Sequence, residues 1–160
     1  MNGRTNRYLQ AVSGKKSGAI VGGSWDRRVP REDFTGKMVY RSCVQHWQLG
    51  NPWEETEIVQ LYVDRLENGI PCRFTSKEEL LQRYHELDRI YEQIVTDGRL
   101  STDRASLMKV SFLRDGTLAW GPDGRHRICM ALVAGHKRMP ARVGFVHPQA
   151  IELLERAKSP

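Results

Sequence analysis

Asp123, Gly124, Arg125, His126 and Arg127 stand in one unbroken run, after the loop signal Gly121-Pro122 and before an apolar helical stretch. The start of a helix has backbone N–H groups without intrahelical partners and carries a partial positive charge. Such a terminus attracts anions. Gly124 removes the side chain that would block close approach. Arg125 and Arg127 add fixed positive charge on planar forks that can grip two phosphate oxygens. His126, between them, can donate to a phosphate or exchange a proton near neutral pH. Asp123 can cap the helix, orient His126 or hold a metal ion such as Mg²⁺. The run therefore reads as a phosphate site of the nucleotide kind. Gly124, Arg125, His126 and Arg127 are the binding residues, and His126 and Asp123 are the catalytic candidates. The plainer alternative is an ordinary cap at Asp123 with solvated arginines.

Strands and helices must place that run. Residues 108–113 alternate in character and suit a strand. Arg114-Asp115-Gly116 is a hairpin turn signal, and 117–120 suits the returning strand. Residues 125–134 read as a short helix with Ile128, Cys129 and Leu132 inward, and Gly135 suits the position after its end. Residues 141–146 read as a strand. His147-Pro148 starts a final amphipathic helix that carries Ile151, Leu154 and Ala157. Upstream, 37–49 places Val39, Cys43, His46 and Trp47 near helical spacing. Residues 54–67 form a second helix with Ile58, Leu61, Tyr62, Arg65 and Leu66, closed by Asn68-Gly69. Residues 77–97 form the clearest helix. Ser76 and Glu79 make a capping box, and Leu80, Tyr84, Leu87, Tyr91 and Ile94 form one buried stripe. The outline is helices first, then β-β-α-β-α, in a single α+β domain over 19–160. A flexible basic arm over 1–18 precedes it.

The bulk numbers fit a soluble globular protein. The 160 residues are 39% hydrophobic and 28% charged, with no apolar run of membrane-spanning length and no secretory block, so a cytoplasmic protein is expected. Cys43, Cys72 and Cys129 show no metal spacing and read as buried thiols in a reducing compartment. The net charge of +6 is local. Residues 1–31 carry seven basic side chains against Asp26 alone, whereas the other 129 residues hold 18 basic and 18 acidic ones. The body is neutral. The basic arm can touch nucleic-acid phosphates or simply aid solubility.

Other residues have two readings each. Trp25 and Asp26 follow Gly22-Gly23; Trp25 suits the core and Asp26 a turn cap, although Asp26 could face a pocket. Arg41 could bind an anion or pair with Glu54 or Glu55. One of those glutamates could serve as a general base if its loop folds over the site, although adjacent glutamates usually mark a solvated helix start. His46 and Trp47 read as packing residues, Asp115 as turn geometry, and His85, His136 and His147 carry no assigned chemistry.

The stretch from Val110 to Val146 resembles the ParB/sulfiredoxin superfamily, on Gly124, Arg127, Ala131, Gly135 and Pro140 in that order. Gly22-Gly23-Ser24-Trp25-Asp26, the Tyr40-Arg41 helix, Trp53-Glu54-Glu55-Thr56 and the helix over 83–98 resemble uncharacterised bacterial, archaeal and phage members more loosely. The resemblance implies a small mixed sheet packed with helices and a nucleotide, ATP, ADP or CTP, bound at the helix start. Sulfiredoxin-like members carry a catalytic cysteine where this chain has Arg125, which argues against sulfinic-acid reduction. Partition proteins of the ParB type carry Gly-Glu-Arg-Arg, from which Arg125 and His126 depart. Free-serine kinases of the superfamily carry Asp-Gly-His-His-Arg, matched by Asp123, Gly124, His126 and Arg127. That match implies phosphoryl transfer or nucleotide hydrolysis. The alternative implied is a ParB-like nuclease or DNA-binding accessory protein that uses the basic arm.

Overall fold

The computed structural model describes residues 18–28, 34–103, 107–120 and 124–156. The basic arm expected over 1–18, apart from Gly18, lies outside the described residues, as do Asp123 and Ala157. In chain order the elements are β1 (Ala19–Ile20), a 3-10 turn (Trp25–Arg28), α1 (Met38–Trp47), a second 3-10 turn (Trp53–Glu55), α2 (Glu57–Glu67), α3 (Lys77–Asp97), β2 (Met108–Phe112), β3 (Leu118–Trp120), α4 (Arg125–Val133), β4 (Ala141–Val146) and α5 (Pro148–Arg156). The fold is α+β, with a four-stranded mixed sheet and helices. Its described residues group into two compact units, one within 1–31, 101–124 and 140–160 and the other within 32–100 and 125–139.

The first unit contains the sheet, in the order β1-β4-β2-β3. β1 and β2 each run parallel to β4, and β2 and β3 are antiparallel. The hairpin between β2 and β3 closes as its sequence requires. The Leu113 N–H donates to the Thr117 carbonyl at 2.8 Å, and Gly116 occupies the left-handed region at φ +78°. Trp25, Leu113, Ala119 and Phe145 form the core, with Ala19 and Val21 packed against it. A bulge interrupts the β2–β4 ladder, because Val110 pairs with Val143 but Phe112 pairs with Val146. Two β4 residues, Gly144 and Phe145, therefore stand opposite Ser111. The Phe145 N–H released by the bulge donates to Ser111 Oγ at 3.1 Å.

The second unit contains α1 to α4. The long helix α3 buries Leu80, Tyr84, Leu87 and Ile94, and Tyr91 of the same stripe is partly covered, its ring stacked on Trp47 at 4.3 Å. Half of the expected capping box forms as drawn, with the Glu79 N–H donating to Ser76 Oγ at 3.2 Å. The Glu79 carboxylate instead accepts from the Thr75 N–H and hydroxyl, each at 2.7 Å. At its other end Gly98 terminates α3 with φ +63°. α4 closes with the pair of bonds that marks a helix ended by a left-handed glycine: Gly135 N–H to Leu132 carbonyl and His136 N–H to Ala131 carbonyl.

Three expectations need correction. The second helix does not begin at Glu54, because the buried Thr56 is extended, at φ −81° and ψ 147°, and its hydroxyl bonds back to the Trp53 carbonyl at 2.7 Å. That bond closes Trp53–Glu55 as a 3-10 turn, so α2 starts at Glu57. Leu132 of α4 is exposed, and the buried face of that helix is Cys129, Met130, Ala131 and Val133. Cys43 and Cys129 are buried thiols, but Cys72 is partly exposed, its Sγ–H directed at the Phe74 carbonyl.

Candidate functional site

The chain reaches α4 through Gly124, whose φ of +86° lies in the left-handed region that L side chains rarely adopt. A Cβ at Gly124 would also approach Met108 Cγ to 3.2 Å. The glycine is therefore required by backbone conformation, whether or not an anion approaches it. Arg125, His126 and Arg127 then occupy the first turn of α4, where no carboxylate is present. Arg125 is exposed and Arg127 partly buried.

His126 faces inward within the second unit. Its ring meets the Tyr84 ring edge to face, with centroids 5.7 Å apart and planes at 88°. Its Nε2 is shielded from solvent and has no hydrogen-bond partner among the described residues. Burial pushes its pKa down to about 4, and the positive charges of Arg73, Arg83 and Arg125 act in the same direction. The ring is accordingly neutral at pH 7. It can serve there as a dipolar hydrogen-bonding group, but not as a standing imidazolium. Arg73 and Arg83 are cations of this environment that sequence reasoning did not single out. Arg73 lies over the Phe74 ring at 4.8 Å, and Arg83 pairs with Glu86 at 2.8 Å.

The remaining candidates fall elsewhere. Asp26 is buried in the first unit, and Arg114 of the hairpin turn grips it with two guanidinium bonds, Nε to Oδ2 at 2.7 Å and Nη2 to Oδ1 at 2.5 Å. The Arg114 backbone N–H adds a third bond at 3.0 Å, and these bonds hold the Asp26 carboxyl well below the usual carboxylate range. Gly23 joins the same network, its carbonyl accepting from Arg114 Nη2 at 2.9 Å and facing His147 Nε2 at 3.2 Å. His147 Nδ1 in turn accepts from the Gln149 N–H at 3.3 Å, so this histidine caps α5. Trp25 is core, as expected, and Asp26 is a hairpin anchor.

In the second unit Arg41 pairs with Glu57, at 3.0 and 2.6 Å, and not with Glu54 or Glu55. Both of those glutamates are exposed in the 3-10 turn, and Glu54 lines a shallow groove with Asp64, Glu67 and Lys77. His46 and Trp47 pack, but they also bond to Asp88, a residue with no signal in the sequence. Asp88 accepts from Trp47 Nε1 at 2.9 Å and from Trp53 Nε1 at 2.9 Å, and it faces His46 Nε2 at 3.0 Å. The His46 ring stacks on Trp53 at 4.0 Å. On the helical wheel of α3 Asp88 sits beside the buried Leu87 and looks like one more solvated acid, so only the partners supplied by α1 and the turn after it reveal its role. Asp115 serves turn geometry as read, accepting from the Thr117 N–H and hydroxyl.

Among the described residues no three His, Cys, Asp or Glu side chains come together in a way that could hold a metal ion, and no helix is long and apolar enough to cross a membrane. Comparison with protein-family models, with curated proteins and with solved structures finds no match for this chain.

Proposed function

We propose that this chain is a nucleotide-binding protein of the ParB/sulfiredoxin kind that holds phosphate at the start of α4 through Gly124, Arg125, His126 and Arg127. The observation that carries the reading is electrostatic. The first turn of α4 has two arginines and no carboxylate, and after burial the charges of Arg73, Arg83 and Arg125 help to keep His126 neutral. A helix start with that surplus of positive charge favours a multiply charged oxyanion. The extension to catalysis assigns phosphoryl transfer or nucleotide hydrolysis. The arginines would stabilise charge on the moving phosphoryl group, His126 would act as a neutral hydrogen-bonding group, and Asp123 would orient it or hold Mg²⁺.

The direct test is a thermal-shift and calorimetry panel of ATP, ADP and CTP with and without Mg²⁺. A ligand that binds only the folded chain raises its melting temperature by linkage. Arg127→Ala is expected to weaken the best ligand by about 1.5–3 kcal/mol, the range for a hydrogen bond to a charged group. Melting temperatures that no nucleotide moves would remove the reading. A second reading, a ParB-like nuclease or DNA-binding accessory protein, is favoured by one feature, the seven basic side chains of residues 1–31. Its test is a salt titration of oligonucleotide binding.

A further inference from the structure

His46 stands in the last turn of α1, and both of its ring nitrogens face acceptors. Nδ1 lies 2.6 Å from the Asn51 carbonyl, and Nε2 lies 3.0 Å from Asp88 Oδ1. A carbonyl oxygen only accepts. Asp88 is an acceptor as well, because the indole N–H groups of Trp47 and Trp53, which can only donate, both point at the same Oδ1. A neutral imidazole has one N–H and one lone pair. In that form one ring nitrogen would hold its lone pair against an oxygen lone pair. The imidazolium, with two N–H groups, satisfies both contacts.

The partners come from different segments of the second unit. His46 belongs to α1, Asn51 to the loop after it, and Asp88 to α3. The ring is stacked on Trp53 and meets Trp47 edge to face at 6.2 Å. Few other titratable groups surround the contact. On α3, His85 Nδ1 lies 3.5 Å from Asp88 Oδ2, and the Tyr84 and Tyr91 rings reach Trp53 and Trp47. On α1, the Cys43 thiol is pushed up by its hydrogen bond to Cys129 of α4, by burial and by the Asp88 charge, and so stays protonated. From α2, Glu57 is held by Arg41. Among the described residues no Lys or Arg forms an ion pair with Asp88. The His46 and Asp88 side chains are 21% and 22% exposed, so a proton can pass between the contact and water.

We propose that His46 is a proton-operated latch: the doubly protonated ring ties α1 and the loop after it to Asp88, and loss of one proton releases the Asn51 carbonyl. The bond to the Asp88 carboxylate has an ionised acceptor and is the stronger of the two, so the neutral ring keeps its proton on Nε2. The Nδ1 proton leaves to water, and loop 48–52 loses its side-chain tie to the ring. The device lies within the second unit and does not depend on the reading of α4.

The test is a pH titration of the full chain, followed in ¹H–¹⁵N spectra of the His46 ring nitrogens and of the Trp47 and Trp53 indole N–H groups, and repeated in urea on the unfolded chain. The folded ring is expected to keep both protons to a midpoint about one pH unit or more above that of the unfolded chain, the shift that one adjacent opposite charge produces. Through that midpoint Nδ1 should lose its proton while Nε2 keeps it, and the two indole peaks should move together with it. His46→Gln should abolish the movement of the indole peaks, and Asp88→Asn should bring the midpoint back toward the unfolded value. His85→Gln should leave the His46 transition in place, which separates the two histidines. A folded midpoint equal to or below the unfolded one would overturn the proposal. So would loss of the proton from Nε2 instead of Nδ1, or indole peaks that still titrate in folded His46→Gln protein.

Discussion

At the scale of single residues, His126 couples stability to pH. Its folded pKa of about 4 lies below an unfolded value of about 6.5. As pH falls below about 6.5, the unfolded chain takes up the proton first, so the unfolded state gains. Stability should be level above pH 6.5, fall between 6.5 and 4, and level off again, with a total loss of roughly 2–4 kcal/mol. Urea unfolding at pH 7 and pH 4.5 measures it, and His126→Phe, which keeps a ring against Tyr84, should flatten the difference. Asp26 acts in a separate, lower window. Its folded pKa is depressed by Arg114, so its contribution is complete above the unfolded carboxylate value of about 3.9 and is lost as pH falls below that. Asp26→Ala removes the anchor of the hairpin turn and should lower the midpoint of chemical denaturation at pH 7. If the chain turns nucleotides over, His126→Ala should reduce turnover per folded molecule by about 10²–10⁴-fold and change nucleotide affinity far less. Near-normal turnover would leave His126 a packing residue. The sequence announced His126 by its place between two arginines, but not its inward turn, which depends on Tyr84, 42 positions upstream. It was silent on Arg114 for the same reason, because the Asp26 partner lies 88 residues away.

At the scale of elements, local pattern sufficed where one segment contains its own signal. The stripe of α3, the glycine at the end of α4 and the Arg114-Asp115-Gly116 turn were all legible, since each rests on neighbours within a few residues. What was hidden depended on contacts between segments. The start of α2 is one case. The Ile58 N–H donates to Ser42 Oγ at 2.9 Å and the Glu57 N–H to Gln45 Oε1 at 3.2 Å, so α1 supplies the capping groups that Thr56 does not. The bulge in β4 is another, and it makes a sharp prediction. At Gly144 an added Cβ would lie 2.7 Å from Lys109 Cγ and 2.8 Å from Ser111 Oγ. The second contact also threatens the bond that satisfies the Phe145 N–H. Gly144→Ala should therefore destabilise by about 1–3 kcal/mol, the range for overpacking, and lower the melting temperature. Unchanged melting would mean that the bulge relaxes freely.

At the scale of the whole molecule, four of the seven basic side chains of residues 1–31 precede the described part of the chain, and removing them is expected to leave the fold intact. Deleting residues 1–18 removes Arg4, Arg7, Lys15 and Lys16 and, from the described residues, only the Gly18 backbone bonds to β4. A loss of about 1 kcal/mol is expected, which is roughly 2–4 °C in melting temperature. Any oligonucleotide binding should meanwhile lose part of its salt dependence. A much larger fall in melting temperature would show that the deleted segment packs on the body. One feature of the sheet also constrains how the chain is made. Ala19 and Ile20 pair with Phe145 and Val146, so β1 leaves the ribosome before α1 to α4 and before its partner strand β4. At about 5–20 residues per second, that strand waits several seconds with its edge open, while the helices α1 to α3 are already complete. Chaperones and proteases would meet it during that interval, and the wait belongs to the order of the chain rather than to the stability of the finished fold.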